Sequence, residues 1–269
     1  MIKIYSEKMS DDVAPKLELL HTGRAVVDES WHGSAVRSQC SRLYYIKKGS
    51  FYVVSDKGKR TEFKEGGVYL IPSGYSYTYG CTSENEHLYF HIRLYGFDSI
   101  DLLGRFKEPT SCDVCIDIER LSKMIGSHGV TATLVITGEI YRAIAQLAVN
   151  SRGLLDIPIY SPAINSAINY ISNNLSVKLS ITEISETVRF ARSTLSGKFR
   201  REVGMSIGEY IDYRIMLSAS QKLISESLSI REISDFYGFS DQFYFSRRFK
   251  KSFGISPQQY RKNTFGQSY

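Results

Sequence analysis

The sequence predicts an α+β protein of two domains. Strands come first, forming a small β-barrel or sandwich with helices behind it, and an all-helical domain follows. Three observations predict this. The chain has 269 residues, long enough for two domains. Its texture changes from aromatic and β-branched runs within 42–94 to apolar residues at helical spacing beyond about 117. Its charge is divided unevenly: residues 1–159 hold 19 Lys+Arg and 19 Asp+Glu, whereas residues 160–269 hold 15 and 9. The whole excess of +6 therefore lies in the last part of the chain. Such asymmetry points to a polyanion-binding module joined to a neutral one, against the alternative of a merely basic surface.

Composition excludes several classes. At 42% hydrophobic and 23% charged the chain is neither disordered, collagen-like nor a coiled coil. Its apolar runs, such as 134–136, read as too short to cross a bilayer. The opening Met-Ile-Lys-Ile-Tyr-Ser lacks the apolar core of a signal peptide. Four cysteines do not make a disulfide framework, so a cytoplasmic setting is expected.

The expected strands are Leu43-Tyr-Tyr-Ile46, Phe51-Tyr-Val-Val54, Val68-Tyr-Leu-Ile71 and Leu88-Tyr-Phe-His-Ile92, separated by turns rich in Gly, Asp, Ser and Pro. Ile118, Leu121 and Ile125 open a helical stretch, and a longer helix is expected over about 132–149. Together these make a first domain over 1–150. Residues 151–161 read as a linker, and a helical domain fills 162–269.

That helical domain contains an internal repeat. Ser180-Ile-Thr-Glu-Ile-Ser185 returns as Ser229-Ile-Arg-Glu-Ile-Ser234, and Lys198-Phe-Arg-Arg201 returns as Arg248-Phe-Lys-Lys251 with one extra residue. Both copies start with Ser-x-x-Glu, the pattern in which serine caps a helix and the Glu side chain returns to the serine N–H. A turn follows at Arg189-Phe190 and at Gly238-Phe239. The next helix carries an apolar stripe, Leu195, Phe199 and Val203 in copy one and Phe245, Phe249 and Phe253 in copy two.

Opposite the stripes stand Arg192, Ser193, Thr194, Ser196, Gly197, Arg200 and Arg201 in copy one. Copy two presents Gln242, Phe243, Tyr244, Ser246, Arg247, Lys250 and Lys251. Two short helices, a tight turn and a basic outer face make the helix-turn-helix pattern, whose second helix reads base edges in the major groove. The units span 181–203 and 230–253. A continuous helix over 207–225, about 28 Å long at 1.5 Å per residue, would hold two reading helices near the spacing of successive major grooves, about 34 Å. The alternative is a small helical solenoid or protein-docking bundle, which predicts no salt-dependent affinity for DNA.

The run Gly238-Phe-Ser-Asp-Gln-Phe-Tyr-Phe-Ser-Arg-Arg-Phe-Lys-Lys-Ser-Phe-Gly-Ile-Ser-Pro-Gln-Gln-Tyr-Arg261 resembles the signature of AraC/XylS-type transcription regulators, and the likeness covers about 162–263. It implies seven helices, two helix-turn-helix units and double-stranded DNA as partner. It puts Gln242, Phe243, Tyr244 and Arg247 at base-contacting positions, with Ser193, Ser196 and Gly197 matching in copy one beside Arg192. Two departures stand out. The family commonly has a larger polar residue at Gly197, and usually Gly at Arg189, where the turn favours φ > 0. A bulky residue held there would cost roughly 1 kcal/mol. The expectation is that copy two carries most base specificity and copy one mostly phosphate contacts.

The resemblance further implies a cupin-like N-terminal barrel that binds a small effector and mediates dimerisation, consistent with Lys48-Gly-Ser-Phe51 and Gly67-Val-Tyr-Leu-Ile-Pro72. RNA polymerase and a second copy of the chain are the expected protein partners, and no membrane is. Arg37, Tyr44, Tyr52, Tyr75, Tyr79, His91 and Arg93 are the candidate effector ligands, because aromatic faces with a few polar groups suit a sugar-like molecule. On 88–94 alternation puts Tyr89, His91 and Arg93 on one side, but does not say which side faces inward. His32 is a further candidate beside Arg37. No catalytic residue, cofactor or metal is expected, since the five histidines show no His-x-His spacing and a metal site needs three or four converging ligands. Cys112-Asp-Val-Cys115 reads as ordinary thiols. A cupin-type enzyme, or a barrel that only dimerises, fused to a DNA-binding module is the rival reading.

Overall fold

The computed structural model describes residues 15–35, 38, 40–96, 100–127, 129–151, 154–155, 160–225 and 227–266. The chain divides into two compact units, Met1–Ile157 and Pro158–Tyr269. It is a mixed α+β, two-unit architecture with its helix-turn-helix elements in the second.

The first unit is built from nine strands among its described residues: β1 (Lys16–Val27), β2 (His32–Ala35), β3 (Ser41–Lys48), β4 (Ser50–Ser55), β5 (Arg60–Lys64), β6 (Val68–Ile71), β7 (Tyr77–Gly80), β8 (Asn85–Tyr95) and β9 (Thr110–Cys112). They form two antiparallel sheets, in the orders β1-β8-β3-β6-β9 and β2-β7-β4-β5. Gly49 turns β3 into β4 at φ 71°, and its N–H donates to Glu65 Oε2 at 2.9 Å. A side chain there would run into the backbone of Glu84, so the tight turn requires glycine.

Two helices follow, α1 (Ile118–Met124), capped by Asp117, and α2 (Val130–Asn150). Ile136, Ile140, Ala143, Ile144 and Leu147 of α2 pack with Leu43, Tyr45, Leu88, Phe90, Ile92 and Leu94, one face of the five-stranded sheet. The opposite face of that sheet supplies Tyr44, Ile46 and Ile71 to a second core, with Phe51, Val53, Phe63 and Tyr77 of the four-stranded sheet. The polar side of β8 therefore faces this second core. His87 lies 5.2 Å from the Phe51 ring and 5.5 Å from Tyr44, centroid to centroid.

One expectation is corrected here. Helix α2, at 21 residues, is long and apolar enough by length and composition to cross a membrane. Thr131, Thr133, Thr137, Gly138, Glu139, Arg142 and Gln146 interrupt its apolar residues, so no unbroken run reveals it in the sequence. Its apolar face is spent on the sheet, each buried Ile or Leu contributing about 1.5–3 kcal/mol, while Glu139 and Arg142 pair on the other side at 2.6 Å.

The second unit contains α3 (Pro162–Asn173), α4 (Ile181–Thr187), α5 (Arg192–Val203), α6 (Ile207–Ser225), α7 (Ile230–Phe236), α8 (Gln242–Phe253) and α9 (Pro257–Gly266). Pro162 sits in the first turn of α3, where its missing N–H costs nothing. Gly204 and Gly254 end α5 and α8 in the left-handed conformation at φ 83° and 78°. The loop before α4 closes on the turn after α7: Val177 N–H donates to Tyr237 O at 3.0 Å, and Ser176 Oγ to the same oxygen at 3.3 Å. Arg261 of α9 donates through Nε to Leu223 O of α6 at 3.0 Å.

Candidate functional site

The two hairpins α4–α5 and α7–α8 have the predicted starts. Ser229 Oγ accepts from Glu232 N at 3.1 Å and its N–H donates to the Glu232 carboxylate at 2.7 Å, a complete capping box. Copy one is half of one. Ser180 Oγ accepts from Glu183 N at 3.1 Å, but the Glu183 carboxylate instead takes the Tyr170 hydroxyl at 2.8 Å. The same Ser-x-x-Glu/Gln device, not singled out in the sequence, also opens α6 (Ser206 and Glu209) and α9 (Ser256 and Gln259).

The extra residue of copy two falls in its turn. Four residues, Val188 to Ala191, join α4 to α5, whereas five, Tyr237 to Asp241, join α7 to α8. That extra position makes room for a cap. Asp241 accepts from Phe243 N at 2.8 Å and Tyr244 N at 2.7 Å, and these bonds hold its carboxyl below the usual range. Ala191 at the start of α5 offers no side-chain cap. Both turns need φ > 0, at Gly238 (75°) and at Arg189 (56°); among the described residues Arg189 is the sole non-glycine there.

Phases of the second helices follow from the stripes. Leu195 and Phe199, like Phe245 and Phe249, are fully buried. Arg192, Ser193, Thr194, Gly197 and Arg200 of α5 are exposed, as are Phe243, Tyr244, Arg247 and Lys250 of α8; Ser196, Gln242 and Ser246 are half-buried at the margin. The outward surfaces of α5 and α8 are thus basic and polar, with the Phe243 ring 67% exposed among them. Ser246 turns its hydroxyl back to Gln242 O at 2.7 Å. No heavy atom lies within 4 Å of a Cβ built at Gly197. Tyr244 is steered from behind: Arg248 donates to its hydroxyl at 2.9 Å and is itself paired with Asp212 of α6.

In the first unit the effector candidates separate. Tyr44, Tyr79 and His91 join the aromatic surface between the sheets: Tyr79 is 4.5 Å from Trp31, and His91 is 5.6 Å from both Tyr89 and His21. Tyr75 stacks beside Tyr77 at 6.0 Å. Arg93 is buried in a salt bridge to Glu18 at 3.3 Å. Tyr52 lies on the other face of β4 from Phe51 and Val53, under the Arg60 guanidinium at 3.6 Å. His32 is exposed on β2. Arg37 lies outside the described residues. Burial pushes His87 down to about 4, and burial followed by Arg42 and His21 pushes His91 down to about 3. Arg42, absent from the sequence-based candidates, shares the inward face of β3 with Tyr44. Its signal was available: it stands two residues before Tyr44 on an alternating strand.

Burial pushes the Cys112 thiol up to about 11, whereas Cys115 is exposed. Among the described residues no three His, Cys, Asp or Glu side chains gather as a metal site would require.

The profile of a family described as "Helix-turn-helix domain" matches residues 180–263. MarA, the multiple antibiotic resistance protein of Salmonella typhimurium, is 35% identical over 106 residues, which are 39% of this chain and 84% of MarA. The lactose operon transcription activator of Staphylococcus xylosus is 26% identical over 236 residues, 83% of this chain and 84% of that protein. Wild-type ToxT of Vibrio cholerae, solved with an unsaturated fatty acid bound, shares the fold at 15% identity, with a TM-score of 0.51 over 94% of this chain and 97% of its own. The two capped hairpins with their basic outer faces are thus those of a known group, and the chain belongs to the AraC/XylS family of DNA-binding transcription regulators.

Proposed function

We propose that the chain activates transcription of a sugar-utilisation operon, binding DNA through 162–269 and a sugar-like effector through a cupin-like first domain over 1–150, with 151–161 as the linker. The observation that carries the DNA half is the pair of equivalent second helices, each burying its stripe and turning a basic face outward. Gln242, Phe243, Tyr244 and Arg247, with Ser246 at the margin, read base edges, and Lys250 holds phosphate. Arg192, Ser193, Thr194, Ser196, Gly197 and Arg200 mostly position copy one on the backbone. The unequal hairpins support this ranking. Helix α8 starts on a carboxylate cap, whereas α5 has no side-chain cap and a bare Gly197 where a reading side chain would project.

The effector half rests on the lactose operon relative, aligned over 83% of this chain, and on the polar face of β8 turned between the sheets. Tyr44, Tyr75, Tyr79 and His91 line that side; Tyr52 and Arg93 are engaged elsewhere. The exposed stripe Val130, Leu134, Tyr141 and Val149 on α2 is the surface that a second copy covers. RNA polymerase is the partner through which an activator acts, in the cytoplasm where the DNA lies.

Selection of bound DNA from a random pool, repeated with the variants, tests the reading. Arg247→Ala is expected to relax base preference at one position by about 1–3 kcal/mol. Lys250→Ala is expected to weaken all sequences alike and lower the salt slope by about one. Intact discrimination in Arg247→Ala together with its loss in Arg192→Ala would reverse the ranking of the two copies.

A further inference from the structure

Among the described residues, Arg42 and Arg93 are the arginines of the five-stranded sheet on the side that faces the inter-sheet core. Arg93 pairs with Glu18. Arg42 pairs with no Asp or Glu among the described residues. Its Nη1 donates to the Tyr77 hydroxyl, and its Nε is buried with no partner at all. A guanidinium carries five donors and keeps its charge. Leaving it in such a place without an anion is costly.

Polar rings gather around it. Arg42 stands opposite His91 in the β3–β8 register, and His21 and Tyr89 flank that imidazole. Burial raises the Tyr44 and Tyr77 phenols, so both remain neutral donors and neither neutralises the guanidinium. We propose that Arg42, with Tyr77 and His91 beside it, binds an anionic oxygen group of the effector: a carboxylate or a phosphate carried on a sugar-like molecule. A planar guanidinium matches either group in bidentate geometry. This rests on the effector reading above and narrows it, since a neutral sugar would leave Arg42 unmatched.

Trp31 is the sole tryptophan and lies 4.5 Å from Tyr79, which is 6.3 Å from Tyr77, so its emission reports on this region of the full-length protein. Inorganic phosphate, D-glucuronate and D-glucose are titrated at matched ionic strength, and operator affinity is measured alongside. Phosphate and glucuronate are expected to change the emission saturably, with at least ten-fold weaker binding in Arg42→Gln. Tyr77→Phe keeps the guanidinium and removes one phenol of the site, so it is expected to bind phosphate more weakly than the parent but more tightly than Arg42→Gln. The absence of a saturable response to both anions, an equal response in Arg42→Gln, or weaker binding in Tyr77→Phe than in Arg42→Gln overturns the proposal. A response to glucose that is indifferent to Arg42 removes the anion site and keeps the effector reading. Anion binding that leaves operator affinity unchanged keeps the site and removes the effector reading.

Discussion

Arg189 and Gly238 occupy the same position in two copies of one turn, and exchanging their side chains measures what the turn demands. Arg189 sits at φ 56° and Gly238 at φ 75°. The left-handed conformation costs an ordinary residue about 1–2 kcal/mol. Installing glycine returns roughly 0.5–1 kcal/mol to the unfolded chain as entropy. Arg189→Gly is therefore expected to stabilise the second unit by about 0.5–1 kcal/mol, or roughly 2–5 °C for a unit of this size. Its backbone bond from Arg189 N to Glu186 O at 3.1 Å is kept. The reverse change, Gly238→Ala, gains the entropy but pays the strain. Its Cβ would also meet Ser176 Oγ at 3.0 Å, in the loop that closes on this turn. A net loss of about 1 kcal/mol is expected. Urea unfolding of the full chain without DNA, followed by helical circular dichroism, reads both. If Arg189→Gly destabilises while Gly238→Ala is neutral, backbone strain is not what distinguishes the turns.

Gly197→Ala is expected to stabilise α5 by about 0.5–1 kcal/mol, because glycine is a poor helix former and nothing stands within 4 Å of the added methyl; thermal unfolding checks it. Ile140→Ala is expected to cost about 2–5 kcal/mol in the same assay, since Ile140 is fully buried between α2 and the five-stranded sheet, and a negligible cost would detach α2 from that core. Lowering the pH is expected to weaken the first unit. His87 and His91 are held below 6.5 in the folded chain, so their contribution is whole above pH 6.5 and falls as the pH drops toward about 4 and 3. His87→Gln should flatten the urea midpoint against pH across that window, and an unchanged slope would refute the assignment.

The second unit was legible because its signals are local. A cap, a stripe and a turn each occupy a few neighbouring residues, and the duplication states them twice. What escaped there was also local but one-sided: Asp241 could be found only by noticing that the extra residue of copy two lengthens the turn before α8. The first unit depends on contacts far apart in sequence. Alternation on 88–94 separated His91 from Ile92, yet only α2, about fifty residues later, decides that Leu88, Phe90 and Ile92 belong outside and the histidines between the sheets. Composition alone groups Tyr52 with Tyr44, although the phase of β4 turns it away. Arg93 read as an anchor because Glu18, its partner, lies 75 residues earlier in the chain. Arg42 is hidden because the apolar run begins only at Leu43, two residues after β3 starts at Ser41.

The backbone bond from Val177 to Tyr237 gives the two hairpins, proposed above to read DNA, a second connection besides α6. On that reading they would act as a stiff bivalent ligand for DNA. For such a ligand the effective concentration of the second hairpin is high when the half-sites match its span and collapses when they do not. Inserting a single base pair between the half-sites should abolish this avidity, leaving an operator that each hairpin can occupy only by excluding the other.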